Sequence, residues 1–292
     1  MKKLTTLLFV LLFTSSLAFA QSNEATIDQN GDSHEATVTQ TGSESEVIVD
    51  QDSHFGTGHL AEVTQQFGSE NYAFVDQDQA NSEAFVTQSG SENESRSKQA
   101  GYNELTVDQI GSGNVLGAYG NYSGTAYQKN GTGIFSSDKN ELSLTQVGTD
   151  HKAGVWQEHH AEADIVQLGG IFGGNNKADV KQTGSPEEDI NTAEIFQLGG
   201  DLVADINQNG EGNSSTVNSS GFHGKAWTTQ TGTDHTSAIN QTGSWNTADV
   251  SQSSIGNSST ITQGGSHHSA GVTQSGNNNS STVNQSGAGG IF

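Results

Sequence analysis

Alternation of apolar and polar residues over short stretches is the main pattern of this chain. Aligned on Gln, it divides into 22 units, and from Gln197 to Gln285 each step is 11 residues, with Ser219 in one Gln position. Most units carry Val, Ile or Leu two positions before the Gln, Ala four before it, Asn or His six before it, and Gly two after it. Positions spaced by two lie on one face of a β-strand, so this pattern predicts a strand of about seven residues in each unit.

The short Gly-containing segment between units leaves room only for a tight turn, for which Gly supplies the backbone angles. Strand-turn units of this size do not bury a face alone and must stack. We therefore predict an all-β fold: a β-solenoid of about 11 two-strand rungs, roughly 50 Å long at about 4.8 Å per rung.

Inward Gln and Asn side chains are expected to form amide ladders between rungs, with Ala and Val filling the space between the sheets. We expect the open end rungs to attract another chain, and the proposed self-assembly residues are inward amides. They are Gln29, Gln40, Gln51, Gln88, Gln197, Gln208, Gln230, Gln241, Gln252, Gln263, Gln274, Gln285, Asn23, Asn71, Asn191, Asn246, Asn257 and Asn279. The turn glycines are Gly31, Gly42, Gly90, Gly210, Gly232, Gly243 and Gly276.

Several segments depart from the regular spacing. Residues 1–20 have a charged start, an apolar run and an Ala18-x-Ala20 end, which is typical of a secretory signal peptide cut before Gln21. Repeats are expected over 21–109 and 140–292, with longer arcs at 52–58, 169–175 and 184–190, the last holding Pro186. Segment 110–139 is interpreted as irregular: a degenerate rung around Gln128, a joint between two arrays, or a contact surface. The last alternative involves Leu116, Tyr119, Tyr122 and Tyr127.

Composition removes several classes of function. The net charge is -23, which disfavours nucleic acid and anionic membranes as partners. The chain has no Cys, so thiol catalysis, Cys-ligated metals and disulfides are excluded. Carboxylates are spread over most rungs without a unique cluster, so we predict no catalytic residues, no cofactor and no enzyme. Apart from residues 1–20, no stretch is long and apolar enough to span a membrane, so no membrane insertion is expected.

The ten His include the pairs His159 with His160 and His267 with His268, which are the alternative candidates for metal binding. Five His occupy the Asn position of their units, where an imidazole is an equivalent hydrogen-bonding group, so no metal site is predicted. These five are His34, His59, His151, His235 and His268.

The spacing of Gln241, Gly243, Asn246, Ala248 and Gln252 resembles the curlin repeat of curli fibre subunits, and the resemblance covers nearly all of the chain after residue 20. It implies an exported structural subunit that crosses the outer membrane through a dedicated pore. Such subunits polymerise by rung-on-rung templating into extracellular amyloid fibres of the biofilm matrix, with a nucleator subunit as partner. Two features depart from the family: the array is long, and its first unit begins at Asn23 without a separate export segment.

Two alternatives to a major fibre subunit stay open at this point. One is a minor nucleating subunit of the same fibre. The other is a monomeric secreted solenoid that binds ice or polysaccharide through outward Thr rows. Thr26, Thr37 and Thr39 fit such a row, whereas Asp28 and Asp50 interrupt it.

Overall fold

The computed structural model describes residues 22–53, 58–79, 81–129, 139–169, 174–185 and 189–288. These residues form 23 β-strands in two sheets, with only parallel pairing between the strands. Sheet A contains β1(Glu24–Asn30), β3(Glu46–Asp52), β5(Tyr72–Asp78), β7(Glu94–Ala100), β9(Val115–Ala118), β10(Ala126–Lys129), β12(Lys152–Glu158), β14(Lys177–Thr183), β16(Val203–Glu211), β18(Lys225–Thr233), β20(Thr247–Ile255) and β22(Ser269–Gln274).

The other sheet is made of the strands that alternate with these along the chain. Sheet B contains β2(Glu35–Ser43), β4(Leu60–Ser69), β6(Glu83–Ser91), β8(Asn103–Ser112), β11(Asn140–Thr149), β13(Ala161–Leu168), β15(Asn191–Gly200), β17(Ser214–Phe222), β19(Thr236–Ser244), β21(Ser258–Ser266) and β23(Ser280–Ala288). Apart from β9 and β10, which share sheet A, consecutive strands thus fall in opposite sheets, and two of them make one turn. The predicted β-solenoid of about 11 two-strand rungs is confirmed.

Equivalent repeat positions stack directly on each other in both sheets. In sheet A, Gln29 pairs with Gln51, and in sheet B, Gln241 pairs with Gln263. This register follows from the sequence, because a shift by one residue would turn every inward side chain outward.

The hydrophobic core is a thin layer between the two sheets. Val49, Val75 and Val250 are fully buried, as are Ala73 and the other interior Ala residues of the repeat. Ala and Val are small enough to fill the narrow space left by short arcs, and the β-branched Val also favours the strand.

The irregular segment contains a split rung. Strands β9 and β10 together take the place of one sheet A strand, since both pair with β7 and with β12. Leu116 is buried in the core, and Gln128 lies in register between Gln99 and Gln157. The described part of this segment thus fills one rung of sheet A.

The loop between β9 and β10 lies over the outer face of sheet A. The Tyr119 hydroxyl donates to an Asp205 carboxylate oxygen at 3.1 Å, and the Tyr122 hydroxyl donates to Asp179 at 2.8 Å. Burial under this loop raises the pKa of Asp205 to about 6. The two Tyr side chains proposed for an external contact surface are therefore engaged within the chain.

The other departures from the 11-residue spacing fall between strands. Residues 53–59 separate β3 from β4, 169–176 separate β13 from β14, and 184–190 separate β14 from β15. Parts of these connections, the segment 1–21 with the expected signal peptide, and Pro186 lie outside the described residues.

Candidate assembly site

Two ladders of Gln side chains follow the solenoid axis, one in each sheet. In sheet A, Nε2 of Gln29 donates to Oε1 of Gln51 at 2.7 Å, and the same bond recurs on each rung as far as Gln274 at up to 3.0 Å. In sheet B the ladder begins at Gln40 and ends at Gln285, with distances of 2.8 to 2.9 Å. These bonds satisfy amides that would otherwise be costly to bury.

Each Gln also ties the two sheets together. Gln40 in β2 donates from Nε2 to the backbone carbonyl of Glu24 in β1 at 3.1 Å, and Gln51 in β3 donates to Glu35 in β2 at 3.1 Å. Because Nε2 faces a carbonyl that only accepts, the amide has one favourable orientation. The ladder is therefore polar: every Gln-to-Gln bond is donated by the earlier rung to the later one.

The twelve Gln residues proposed for self-assembly all occupy these ladders. Gln29 is exposed at the first rung, Gln40 and Gln285 are half-buried near the two ends, and the other nine are buried. The same ladders include nine further Gln residues of the repeat: Gln65, Gln77, Gln99, Gln109, Gln128, Gln146, Gln157, Gln167 and Gln182.

The sheet B ladder has one break, at Ser219. Ser219 lies in register between Gln197 and Gln241 and is buried. Its hydroxyl donates to Oε1 of Gln241 at 3.2 Å, while Gln197 donates to the backbone carbonyl of Lys177 at 2.9 Å. The short Ser219 side chain thus keeps the ladder bond to the following rung but not the one from the preceding rung.

The Asn residues bond to the backbone of the next arc as well as to each other. Oδ1 of Asn191 accepts from the backbone N–H of Asn213 at 3.0 Å, and its Nδ2 donates to the Gly210 carbonyl at 2.6 Å. Asn246 makes the same two bonds with His268 and Gly265. Where Asn stacks on Asn, an amide-to-amide bond is also present in four described cases, as from Nδ2 of Asn93 to Oδ1 of Asn71 at 3.1 Å.

The six proposed Asn residues differ in exposure according to their distance from the ends. Asn71, Asn191, Asn246 and Asn257 are buried. The terminal ones are more open: Asn23 is half-buried and Asn279 is exposed. Asn279 bonds amide to amide, donating from Nδ2 to Oδ1 of Asn257 at 3.0 Å.

Four of the five His residues in the Asn position bond through both ring nitrogens, whereas His268 bonds through Nε2. Nδ1 of His151 accepts from the Asn176 N–H at 3.3 Å, and Nε2 lies 3.2 Å from the Val147 carbonyl, to which it donates. His235 is bonded in the same way to Asn257 and Thr231. This pairing requires the neutral imidazole, since a protonated Nδ1 would face a donor. Burial lowers the pKa of His151 accordingly.

The repeat glycines permit close stacking rather than the corner itself. A Cβ on Gly243, whose φ is +105°, would lie 1.9 Å from the carbonyl oxygen of Gly265 on the next rung. The left-handed corner lies two residues later, for example at Trp245 with φ 61°. Six of the seven named glycines themselves have positive φ, from 89° at Gly276 to 131° at Gly31, so the turn combines these Gly backbone angles with the left-handed corner. The same close approach applies to Gly31, Gly42, Gly90, Gly210 and Gly232. A Cβ on Gly276, near the end of the array, would meet only Nδ2 of Asn279, at the ordinary contact distance of 3.7 Å.

The two ends of the array are complementary. At the first rungs, Oε1 of Gln29 and Gln40 accept no ladder bond from any described residue, and Ile27 is 45% exposed. At the last rungs, Gln274 and Gln285 each donate to one backbone carbonyl, which leaves one amide N–H of each for a further rung. One end therefore offers acceptors and the other donors.

Other kinds of site find little support in the described residues. They contain no group of three or more His, Asp or Glu arranged to hold a metal ion. They also contain no helix of the length and apolarity needed to cross a membrane.

The comparison with protein families matches both ends of the array. The model of the curlin associated repeat matches residues 20–52 and 256–287, which include β1 to β3 and β21 to β23. No curated protein matches the chain. The curlin-repeat family is structural and related to extracellular curli fibres. The rungs between these two regions have the same stacked positions, so the chain matches the curlin associated repeat at both ends and resembles it along the described array between them.

Proposed function

We propose that this protein is a non-enzymatic structural subunit of an extracellular, curli-like amyloid fibre, which grows when the last rung of one molecule templates the first rung of the next. The observation that carries this proposal is the polarity of the Gln ladders. Donors at Gln274 and Gln285 match acceptors at Gln29 and Gln40 when two copies stack head to tail. Such a contact is heterologous and does not close, so it produces a filament.

The backbone of the end strands supports the same arrangement. With β22 beside β1 and β23 beside β2, the parallel register of the interior would continue across the junction. Val272 would then stack on Ile27, and Val283 on Val38. These are the alignments that the repeat already uses within the chain, where Val250 pairs with Val272 and Ile261 with Val283.

A surface-binding monomer is less well supported by the outer face. The outward row of sheet B begins with Thr39 and Thr64 but continues through Asp108 to Val166 and Phe196. A regular Thr row for ice or polysaccharide would need the same residue on successive rungs. The proposed setting is therefore the biofilm matrix and cell adhesion, after export through an outer-membrane pore, with a nucleator subunit as partner, as the family resemblance implies.

Blocking each end separately tests the head-to-tail contact. An N-blocked variant carries Ile27→Lys and Val38→Lys, and a C-blocked variant carries Val272→Lys and Val283→Lys. An inward charge on an open edge strand prevents another strand from pairing. Each variant alone should give no fibres by electron microscopy and no thioflavin signal. Mixed together, they should form one junction and stop at twice the mass that either variant has alone, measured by analytical ultracentrifugation.

Matched outward substitutions provide the control. Thr26→Lys with Thr37→Lys, and Thr273→Lys with Thr282→Lys, place the same charge on the same strands but facing solvent, and fibres should still form. Hydrogen exchange of β11 shows whether the solenoid interior stays folded in every variant. Fibre growth by either blocked variant, or a mixture no larger than the separate variants with β11 protected, would contradict the proposal.

A further inference from the structure

One group of outward apolar residues stands apart from the polar surface. It is a column on the outer face of sheet B with two neighbours beside it, and we name it the outer apolar stripe. Its residues are Ile110, Val147, Leu168 and Leu198 in the column, with Val166 and Phe196 next to it.

The stripe is contiguous and accessible. Its residues pair in register across four adjacent strands, β8, β11, β13 and β15. Ile110 is 42% exposed, Phe196 38% and Leu198 43%, whereas Val147, Val166 and Leu168 are half-buried. The column continues into Ser89 on one side and Ser220 on the other, so it has defined limits. A bounded apolar patch on a strongly charged surface is typical of an interaction site.

Carboxylates occupy the opposite end of the same strands. Glu104, Glu141 and Glu162 form one column on this face, and Asp164 and Glu194 lie in the next. The first column lies six residues from the stripe, which corresponds to about 20 Å along the strands. Lys139 bridges Glu104 and Glu141, so the remaining carboxylates give this half of the face a net negative charge.

We propose that the outer apolar stripe is a lateral interface with a second copy of this chain, related by a two-fold axis parallel to the solenoid axis. That axis places stripe against stripe on the same rungs and turns the strands antiparallel across the interface. The carboxylate columns of the two copies then lie on opposite sides of the contact. A two-fold axis along the strands would instead place carboxylate against carboxylate, which electrostatic repulsion disfavours.

This interface leaves the ends of the array free. The stripe occupies the fourth to seventh of the 11 rungs, so pairing does not compete with end-to-end stacking. In a fibre, the stripe would recur once per molecule, about every 53 Å at 4.8 Å per rung, and would join two parallel filaments. The inference does not rest on fibre formation, because an unpolymerised chain presents the same stripe.

The test uses the chain with both ends blocked, that is, with the four Lys substitutions given above. Dimerisation is measured by analytical ultracentrifugation, and the pairing of wild-type filaments is scored by electron microscopy independently of filament length. Phe196→Thr with Leu198→Thr should weaken dimerisation by about tenfold or more, because these side chains would lose apolar burial, and should separate paired filaments. Thr retains a high strand propensity, so the fold is kept.

Two controls make the result specific. Phe222→Thr with Ile255→Thr removes comparable exposed apolar side chains outside the stripe and should leave pairing unchanged. Since the chain has no Cys, single Cys variants report the axis through a short bismaleimide crosslinker. Ser220→Cys should crosslink between copies, whereas Glu162→Cys should not.

Three results would overturn the inference. They are single filaments together with a monomeric end-blocked chain, pairing that survives loss of Phe196 and Leu198, and crosslinking at Glu162→Cys in place of Ser220→Cys. Fibre growth by the end-blocked chain is a separate outcome that contradicts only the head-to-tail proposal. Filament pairing is still scored in that case.

Discussion

Replacing Ser219 with Gln should repair the only break in the described part of the sheet B ladder. The position is in register with Gln197 and Gln241, and the sheet A ladder accommodates a Gln at every rung. A Gln at 219 would accept from Gln197 Nε2 and donate to Gln241 Oε1. It would also reach a backbone carbonyl of the preceding strand, as Gln208 does with Thr192.

The expected gain follows from these bonds. Because the Ser219 hydroxyl already donates to Gln241, the substitution adds two hydrogen bonds net, worth about 1 kcal/mol each. Ordering a Gln side chain costs up to about 1.5–2 kcal/mol, and burial of its methylenes offsets most of this cost. We therefore expect local stabilisation of about 1–2 kcal/mol.

The opposite substitution, Gln88→Ser, should destabilise the array more strongly. Gln88 accepts from Gln65 and donates to Gln109 and to the Tyr72 carbonyl. A Ser hydroxyl at position 88 would keep the bond to Gln109, as Ser219 does with Gln241, so two bonds are lost at a fully buried site. Together with the cavity left behind, this loss should cost about 3–5 kcal/mol.

Hydrogen exchange measured by mass spectrometry is the suitable assay, because stacked repeats open locally rather than in one global step. Exchange of β17 and β19 in Ser219→Gln should slow by about tenfold, the factor that corresponds to 1.4 kcal/mol. The outward neighbour variant Ser220→Gln should leave exchange unchanged. If Ser219→Gln speeds exchange, or if Gln88→Ser has no effect on β4 and β8, the ladders do not contribute the stability assigned to them.

Two further predictions concern the arcs. Two substitutions of Gly by Ala are compared by the same hydrogen-exchange experiment. Gly243→Ala should destabilise β19 and β21 by about 2 kcal/mol or more and slow fibre growth, because the new Cβ would meet a backbone carbonyl at a positive φ. Gly264→Ala should be tolerated, because a Cβ there would have open space. Because burial lowers the pKa of His151, the folded state binds fewer protons, so the stability contribution of the neutral imidazole is present above about pH 6.5 and is lost as the pH falls below it. Thermal melts of the end-blocked chain should show this loss relative to His151→Asn, and identical pH profiles for the two proteins would refute it.

Much of the fold follows from the repeat, because a period of two and identical side chains at fixed spacing define both the inward face and the register. The position of Val250 between Ala248 and Gln252, for example, is sufficient to place all three inward. The direction of the amide ladder does not follow from spacing. It depends on the cross-sheet bond from each Gln to a backbone carbonyl, which exists only once two sheets face each other.

Three other features depend on packing that the sequence does not display. The corner position accepts Trp245 and His267 as well as Gly256, so its left-handed backbone has no residue signature. Asp205 resembles any outward Asp of the repeat until the β9–β10 loop covers it. Likewise, the outer apolar stripe becomes visible only when residues 30 positions apart, such as Leu168 and Leu198, are brought into register.

Parallel, in-register stacking gathers the carboxylates of this chain, whose net charge is -23, into columns on its outer face. Asp28, Asp50 and Asp76 lie directly over one another on the outer face of sheet A, and the next residue in that column is Lys98, which forms an ion pair with Asp76 at 2.7 Å. Burial, and then the neighbouring carboxylates, raise the pKa of Asp50, so its protonation on acidification stabilises the fold. His151, whose pKa burial lowers, has the opposite effect. Acid therefore relieves the repulsion between stacked carboxylates while it breaks a hydrogen bond within the arc, so the two groups change the stability of the array in opposite directions as the pH falls.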